Sequence, residues 1–372
     1  MLTRLTLLYL CGLVLGWQPL LAQRYNVYYG NIHAHTSYSD GCKDGAETGV
    51  KTPADAFRFA RESAHLDFLG ISEHNHSQAG MQLASYAKGL ADADALNENG
   101  RFVCLYGMEY GVISKGGHIV IYGSDKLIGW ERDNYDVYSA KSDYASLFRI
   151  LAANPHIFAT LAHPEPTHFS DLAAQGYNLT ADQAICGVAI SSGPAFSKKT
   201  DYSDKPSPRF YSYYKTLLSK GYIVGPTIDH DNHNTTFGRM SATRTAVLAQ
   251  TLHRDSIIAA YKANRFYATE DWNVKVDFTL NGMPLGSYSK NKRTLQLTVT
   301  VTDPDTTDAI KSIKVLYGKP GTGQMPTVLA RSTTDTLSKT VTLAPGNAFY
   351  YYVEIVQQDG DRIYTSPIWA KN

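Results

Sequence analysis

Residues 26–41 read NVYYGNIHAHTSYSDG: a β-type run from Asn26 to Ile32 ends directly on His33-Ala34-His35 and then on Ser39-Asp40-Gly41. In an extended strand alternate side chains share a face, so His33 and His35 point the same way, about 7 Å apart, and can converge on one cation. Most of the comparable runs also stop on ionisable residues. LDFLGIS (66–72) is followed by Glu73 and His74, FVCLYGM (102–108) by Glu109, IFATLA (157–162) by His163, and YIVGPTI (222–228) by Asp231 and His233; His118 opens HIVIYG (118–123). With GVAIS (187–191) these make seven predicted strands, and helix-patterned stretches at 53–64, 81–96, 144–154, 208–221 and 255–265 lie between or after them. Apolar strands alternating with helices predict an α/β domain with a largely parallel sheet buried on both faces, and seven strands predict barrel-like closure. Strand ends on one side of a parallel barrel share a mouth, so residues dispersed from 33 to 233 become one pocket.

Burying His33, His35, His74, Glu109, His163, Asp231 and His233 together without a counter-ion would cost several kcal/mol per unpaired charge, as an order of magnitude, so the set predicts metal binding. His65, His156, His168 and His253 stand alone and are read as surface or satisfied core residues.

Around this core the chain is an ordinary globular one, 43% hydrophobic and 19% charged, with a formal net charge of +1. That balance lacks the electrostatic footprint of a nucleic-acid binder. Residues 1–22 carry Arg4 and the apolar run LTLLYLCGLVL (5–15), which reads as a cleavable export signal to a periplasmic or secreted location. Its 11 apolar residues fall short of a membrane span, so none is expected in the mature chain. Cys42, Cys104 and Cys186 are widely spaced and odd in number, implying neither a disulfide framework nor a CxxC zinc site. After residue 273 the texture changes to alternating apolar and polar strands with Asp, Gly and Pro turns, which predicts a small β-sandwich over 273–372 following an α/β domain over 23–272.

His33-Ala-His35 through Asp40-Gly41 resembles the opening motif of the polymerase-and-histidinol-phosphatase (PHP) phosphoesterases. Ser72-Glu73-His74-Asn75, Gly107-Met108-Glu109, His118, Ala162-His163-Pro164 and Asp231-Asn232-His233 are similar to the later motifs and arrive in the family's order, across residues 25–272. RTAVLAQTLHRDSIIAAYKANRFYAT (244–269) and the β-rich tail are similar to the carbaryl-hydrolase-like branch. The resemblance implies a distorted (β/α)7 barrel holding two or three Zn²⁺, Mn²⁺ or Fe²⁺ ions, and hydrolysis of a small-molecule phosphoester. It also implies a ligand distribution: His33, His35, Glu109 and Asp231 on one ion, Glu109, His118 and His163 on a second, and Asp40, His74 and His233 on a third. His33, Glu109 and Asp231 would then be the central catalytic residues.

Glu73 departs from the Asp that many relatives carry and is left out of the ligand set. Asp229-His230 offers a second register for the last motif, and Asp231/His233 is chosen for its DxH spacing. Arg239 and Arg244 follow that motif and are candidates to clamp a phosphate oxygen, while the loops 124–143 and 192–207 are candidates to set the substrate. An amidohydrolase acting on carboxyl esters or amides, and a non-catalytic exported binding protein, are the competing readings. Oligomeric state is not legible.

Overall fold

The computed structural model describes residues 25–44, 49–306 and 308–372, so the expected leader over 1–22 lies outside the described residues. Seven strands form the first half: β1 (Asn26–Asn31), β2 (Phe68–His74), β3 (Val103–Val112), β4 (Gly117–Tyr122), β5 (Phe158–Ala162), β6 (Gly187–Ser192) and β7 (Gly225–Asp229). β1, β2 and β3 are parallel neighbours, and so are β5, β6 and β7. The sheet is largely parallel over β1–β7, as expected, with a reversal at β4, which pairs antiparallel with both β3 and β5. Only residues 113–116 separate β3 from β4, too few for a parallel crossover, which needs a dozen or more, so the two strands form a hairpin. The reversal matters for the site, because it brings the first residues of β4 to the end where the other strands finish.

Closure into a barrel is also only partial. The fold is mixed α/β with a large sheet curled into a half-barrel; among the described residues β7 ends this sheet, and the other neighbour of β1 is β8 (Arg244–Ala249), antiparallel to it. The gap between β1 and β7 is spanned beyond their ends by a single parallel bridge, Ala34 to Asn232, with the His35 amide donating to the Asn232 carbonyl at 2.8 Å. The side-chain Nδ2 of Asn31 adds a bond to the Ile228 carbonyl at 3.1 Å.

Local chemistry explains the helices that pack on the sheet. Thr52 and Asp55 form a reciprocal capping box at the start of helix Pro53–Arg61, with Pro53 in its first turn, and Ala56, Phe57 and Ala60 supply the buried stripe. Inside the curl Ile32, Phe68, Leu105, Val120 and Phe158 form an apolar floor with Ile257 and Tyr261 of helix Arg254–Lys262; the Tyr261 ring stacks on Phe158 at 4.6 Å. Burying such side chains contributes about 1.5–3 kcal/mol each.

The change of texture near residue 273 is not a break in the sheet. β9 (Phe266–Thr269) pairs with β8 on one side and with Arg362–Thr365 on the other, so the long sheet runs from the α/β half into the β-rich tail. A four-stranded sheet, ordered Met283–Pro284, Lys275–Leu280, Thr294–Thr302, Thr336–Thr342, shares a core with it through residues such as Phe278, Leu297, Val315 and Val353. Tyr29, Ala246 and Tyr267 of the first half join the same core.

Candidate metal centre

At the rim of the half-barrel, five imidazoles surround the carboxylate of Glu109. Nitrogens of His33, His35, His74, His118 and His163 lie 3.0, 3.4, 3.1, 2.9 and 3.1 Å from its oxygens. Asp231 lies opposite, 3.1 Å from His33 Nε2 and 3.3 Å from His35 Nε2. Asp40 joins from the other side, 3.6 Å from His74 Nε2 and 3.4 Å from His233 Nε2. All nine residues expected as ligands therefore meet in one place. Their donor atoms fall into three overlapping groups: His33, Glu109, His163 and Asp231; His35, Asp40, His74 and His233; and His74, Glu109 and His118. His35 falls in the group with Asp40 and His163 in the group with His33, while His35 Nε2 also keeps its 3.4 Å and 3.3 Å approaches to Glu109 and Asp231.

Backbone geometry sets each side chain. Glu109 sits in the parallel register opposite His74, and His118 enters beside it because the β3–β4 hairpin pairs Gly111 with His118. Gly41 allows the chain after β1 to fold back and deliver Asp40, since a Cβ there would lie 2.2 Å from the His35 carbonyl oxygen. His163 and Asp231 both adopt left-handed backbone, φ 27° and φ 51°, a cost in strain common at functional sites.

A supporting layer lies behind the donors. Asp229 Oδ2 is 3.2 Å from His33 Nδ1 and its other oxygen accepts from Thr227 Oγ1 at 3.0 Å, which fixes the imidazole with Nε2 facing the centre. Sequence reasoning named Asp229 only as an alternative register; its β-strand position, two residues before Asp231, was the available signal. His230 faces away and bonds to Thr243. Glu73, fully buried, accepts from the Thr36 amide and from the Thr36 and Ser39 hydroxyls, bracing the loop that carries Asp40. Burial pushes its carboxyl up to about 7.

Neither arginine fulfils the expected phosphate-clamping role. Arg244 is fully buried and donates to five backbone carbonyls, those of Ala64, His65, Gly238, Ser241 and Thr243, so its guanidinium is a structural tie. Arg239 lies over the Phe59 ring at 4.1 Å and donates to Phe59 O and Ser63 Oγ. The histidines set aside have other contacts: His65 stacks on Trp272, His168 accepts from the Glu165 amide and His253 caps helix Arg254–Lys262. A cleft of about 540 Å³ opens beside the donors, lined in part by Asp40, Lys43, His74, His76, Ile113 and His118. Both candidate substrate loops reach this region, through Trp130, stacked on His76 at 5.6 Å, and Phe196, 66% exposed with its ring 5.2 Å from His233.

Electrostatics show what the cluster lacks. Burial opposes charge on His33, yet the carboxylates of Glu109 and Asp231 outweigh it and raise its pKa well above the ordinary value. Burial likewise opposes the ionised form of Glu109, but His118, His33 and His74 hold it well below the carboxylate range. His74 is driven down to about 3, first by burial. His33 Nε2, His35 Nε2, His74 Nδ1, His118 Nδ1, Asp40 Oδ1 and Glu109 Oε2 are buried without a well-formed hydrogen bond. Converging imidazole and carboxylate donors with unmet lone pairs could hold metal ions.

The chain matches no protein-family profile and no curated protein. Among solved structures it is similar to superoxide reductase (neelaredoxin) from Ignicoccus hospitalis at 13% identity, over 26% of this chain and 80% of that one, with a TM-score of 0.19. It is also similar to the fibronectin(III)-like modules of Clostridium thermocellum CbhA at 20% identity, over 26% of this chain and 96% of that one, TM-score 0.19. An engineered protein matches at 11% identity over 82% of this chain and 49% of its own, TM-score 0.22. At these scores none of the three bears on the fold or function of this chain.

Proposed function

We propose that this chain is a metal-dependent phosphoester hydrolase whose half-barrel is a distorted (β/α)7 barrel of the PHP type. The observation that carries the reading is Glu109, one carboxylate within 3.4 Å of five imidazoles, which together with them would hold the cations. Two or three divalent cations, when bound, supply Lewis acidity that makes water nucleophilic at neutral pH and neutralises phosphoryl charge. The chain's own residues do the rest. His33, Asp231 and Glu109 hold the centre rigid, Asp229 keeps the His33 proton on Nδ1, and the apolar floor excludes water from below. Lys43 and the cleft beside His76 and Ile113 receive a small anionic substrate. The net charge of +1 supports a small molecule over a polyanion, and the Arg4-plus-apolar leader supports export.

The test combines elemental analysis of the purified protein with a panel of phosphomonoesters, phosphodiesters, carboxyl esters and amides at several metal loadings. Two or three divalent ions per chain, and phosphoester turnover abolished by chelation and restored by Mn²⁺ or Zn²⁺, are expected. Turnover that survives exhaustive chelation, or a carboxyl ester or amide hydrolysed faster than any phosphoester, would overturn it.

A further inference from the structure

Phe196 stands 66% exposed beside the His-rich centre, its ring 5.2 Å from that of His233. A single exposed phenyl on a loose loop is ordinary protein surface. This loop is tied down. The Gly193 amide donates to the Asp229 carbonyl at 3.2 Å and the His233 amide to the Ala195 carbonyl at 2.8 Å. The buried Asn234 side chain donates to the carbonyls of Phe196 and Ser197 at 2.8 and 3.0 Å. Each of these bonds runs to the end of β7 or to the segment after it, which carries Asp231 and His233. Residues 193–197 are thereby fixed to the donor-bearing segment, and the one large apolar side chain among them is left facing solvent.

A second exposed apolar side chain stands at the other end of the donors. Ile113, the first residue of the β3–β4 turn, is 49% exposed and lines the cleft with Asp40, Lys43 and His118. Between Phe196 and Ile113 lie the imidazoles of His233, His74 and His118, in succession 6.0 and 5.0 Å apart. Binding sites for organic molecules combine apolar walls with a few polar groups that fix orientation. Apolar surface kept in water by a rigid frame is favourably covered when an apolar group settles on it.

We propose that Phe196 sets the specificity of the site for esters whose alcohol part is apolar, alkyl or aryl, with Ile113 as a second apolar contact. The inference rests on the phosphoester-hydrolase reading. With the phosphoryl group at the donors and Lys43, the alcohol part extends over one of the two apolar side chains and leaves water there. A polyol or sugar in its place would bring hydroxyls against a phenyl ring that offers them no hydrogen bond, at a desolvation cost. Phe196 acts on which ester is held and takes no part in the bond cleavage.

The test compares n-hexyl and benzyl phosphates with glycerol phosphate, each as monoester and as methyl diester, on the metal-loaded full chain. Calorimetry of hexyl-, benzyl- and methylphosphonate measures binding separately from turnover. The kcat/KM of the apolar esters should exceed that of the glycerol ester by about tenfold or more. In Phe196→Ser that ratio should fall about tenfold, chiefly through KM, and in Phe196→Leu most of it should persist, with metal content and melting temperature the same in all three proteins. A ratio that Phe196→Ser leaves unchanged, or a glycerol ester preferred by the parent, would overturn the specificity assignment and leave the hydrolase reading standing. Tighter binding of hexyl- and benzylphosphonate that Phe196→Ser abolishes, with no ester turned over, would support the role of Phe196 and overturn the hydrolase reading instead.

Discussion

Glu109 and Asp229 make different demands on the His-rich centre. Glu109→Gln keeps the shape of the bridging side chain but removes its charge, so bound metal should fall and turnover should drop by about a hundredfold or more, with the fold retained. Elemental analysis beside steady-state kinetics checks this, and full activity in the variant would remove Glu109 from the mechanism. Asp229→Asn leaves every donor in place but loosens His33, and metal affinity should weaken about 10–100-fold, read by competition with a chelating dye. A third expectation concerns pH. Burial opposes the charged form of His233, but Asp40 and Asp231 raise its pKa to about 9, against about 6.5 unfolded. The cation-free protein therefore has the full stabilisation from this group below about pH 6.5 and loses it as pH rises toward 9. Cations bound there would replace that proton and be held more tightly as protons leave. The gap in melting temperature between loaded and chelated protein should widen from pH 6.5 to 9; a constant or narrowing gap contradicts the linkage. At this scale most of the donors were legible because they lie at or just past the end of an apolar run, although Glu109 proves to lie inside β3, which continues to Val112. Asp229 was obscured because nothing in the sequence distinguishes a residue that touches the ion from one that orients its ligand. Arg244 misled because a guanidinium suits buried carbonyls as well as phosphate, and only the fold shows which surrounds it.

The β3–β4 hairpin governs how His118 reaches the centre. Gly111, at φ 121°, would place a Cβ 2.4 Å from the Gly117 carbonyl oxygen, so Gly111→Ala must displace the start of β4. Loss of bound metal is expected, with destabilisation of about 1–3 kcal/mol, measured by metal content and denaturant melts. Arg244→Met should instead destabilise by about 3 kcal/mol or more, because five carbonyls lose their donor in a buried place. A raised KM with unchanged stability would return Arg244 to the substrate. The seven strands were readable from their apolar runs, since burial on both faces leaves that imprint. Their directions were not: apolar composition is the same whichever way a strand runs, and the shortness of the 113–116 connection was the one available clue.

On the scale of the whole molecule, the boundary read near residue 273 marks a change in how strands are buried and not a separation of folded units. Before it both faces are covered; after it one face often meets solvent, and alternation appears. Because β9 pairs with Arg362–Thr365 and the tail's core includes Tyr29 and Tyr267, a chain ending at residue 272 would expose a sheet edge and apolar side chains. Such a truncation should aggregate or give no cooperative melt, whereas a stable, metal-binding fragment would show the halves to be independent. The same pairing imposes an order in time. β1 lies between β2 and β8, and its Asn26 is the partner of Ala249 on β8 although 223 positions separate them. A chain made from its N-terminus presents His33 and His35 long before Asp231 exists, and long-range pairing of this kind closes slowly. The His-rich centre is therefore a late product of folding, and the ions proposed for it would be acquired by a finished chain from whatever metals surround it at that moment.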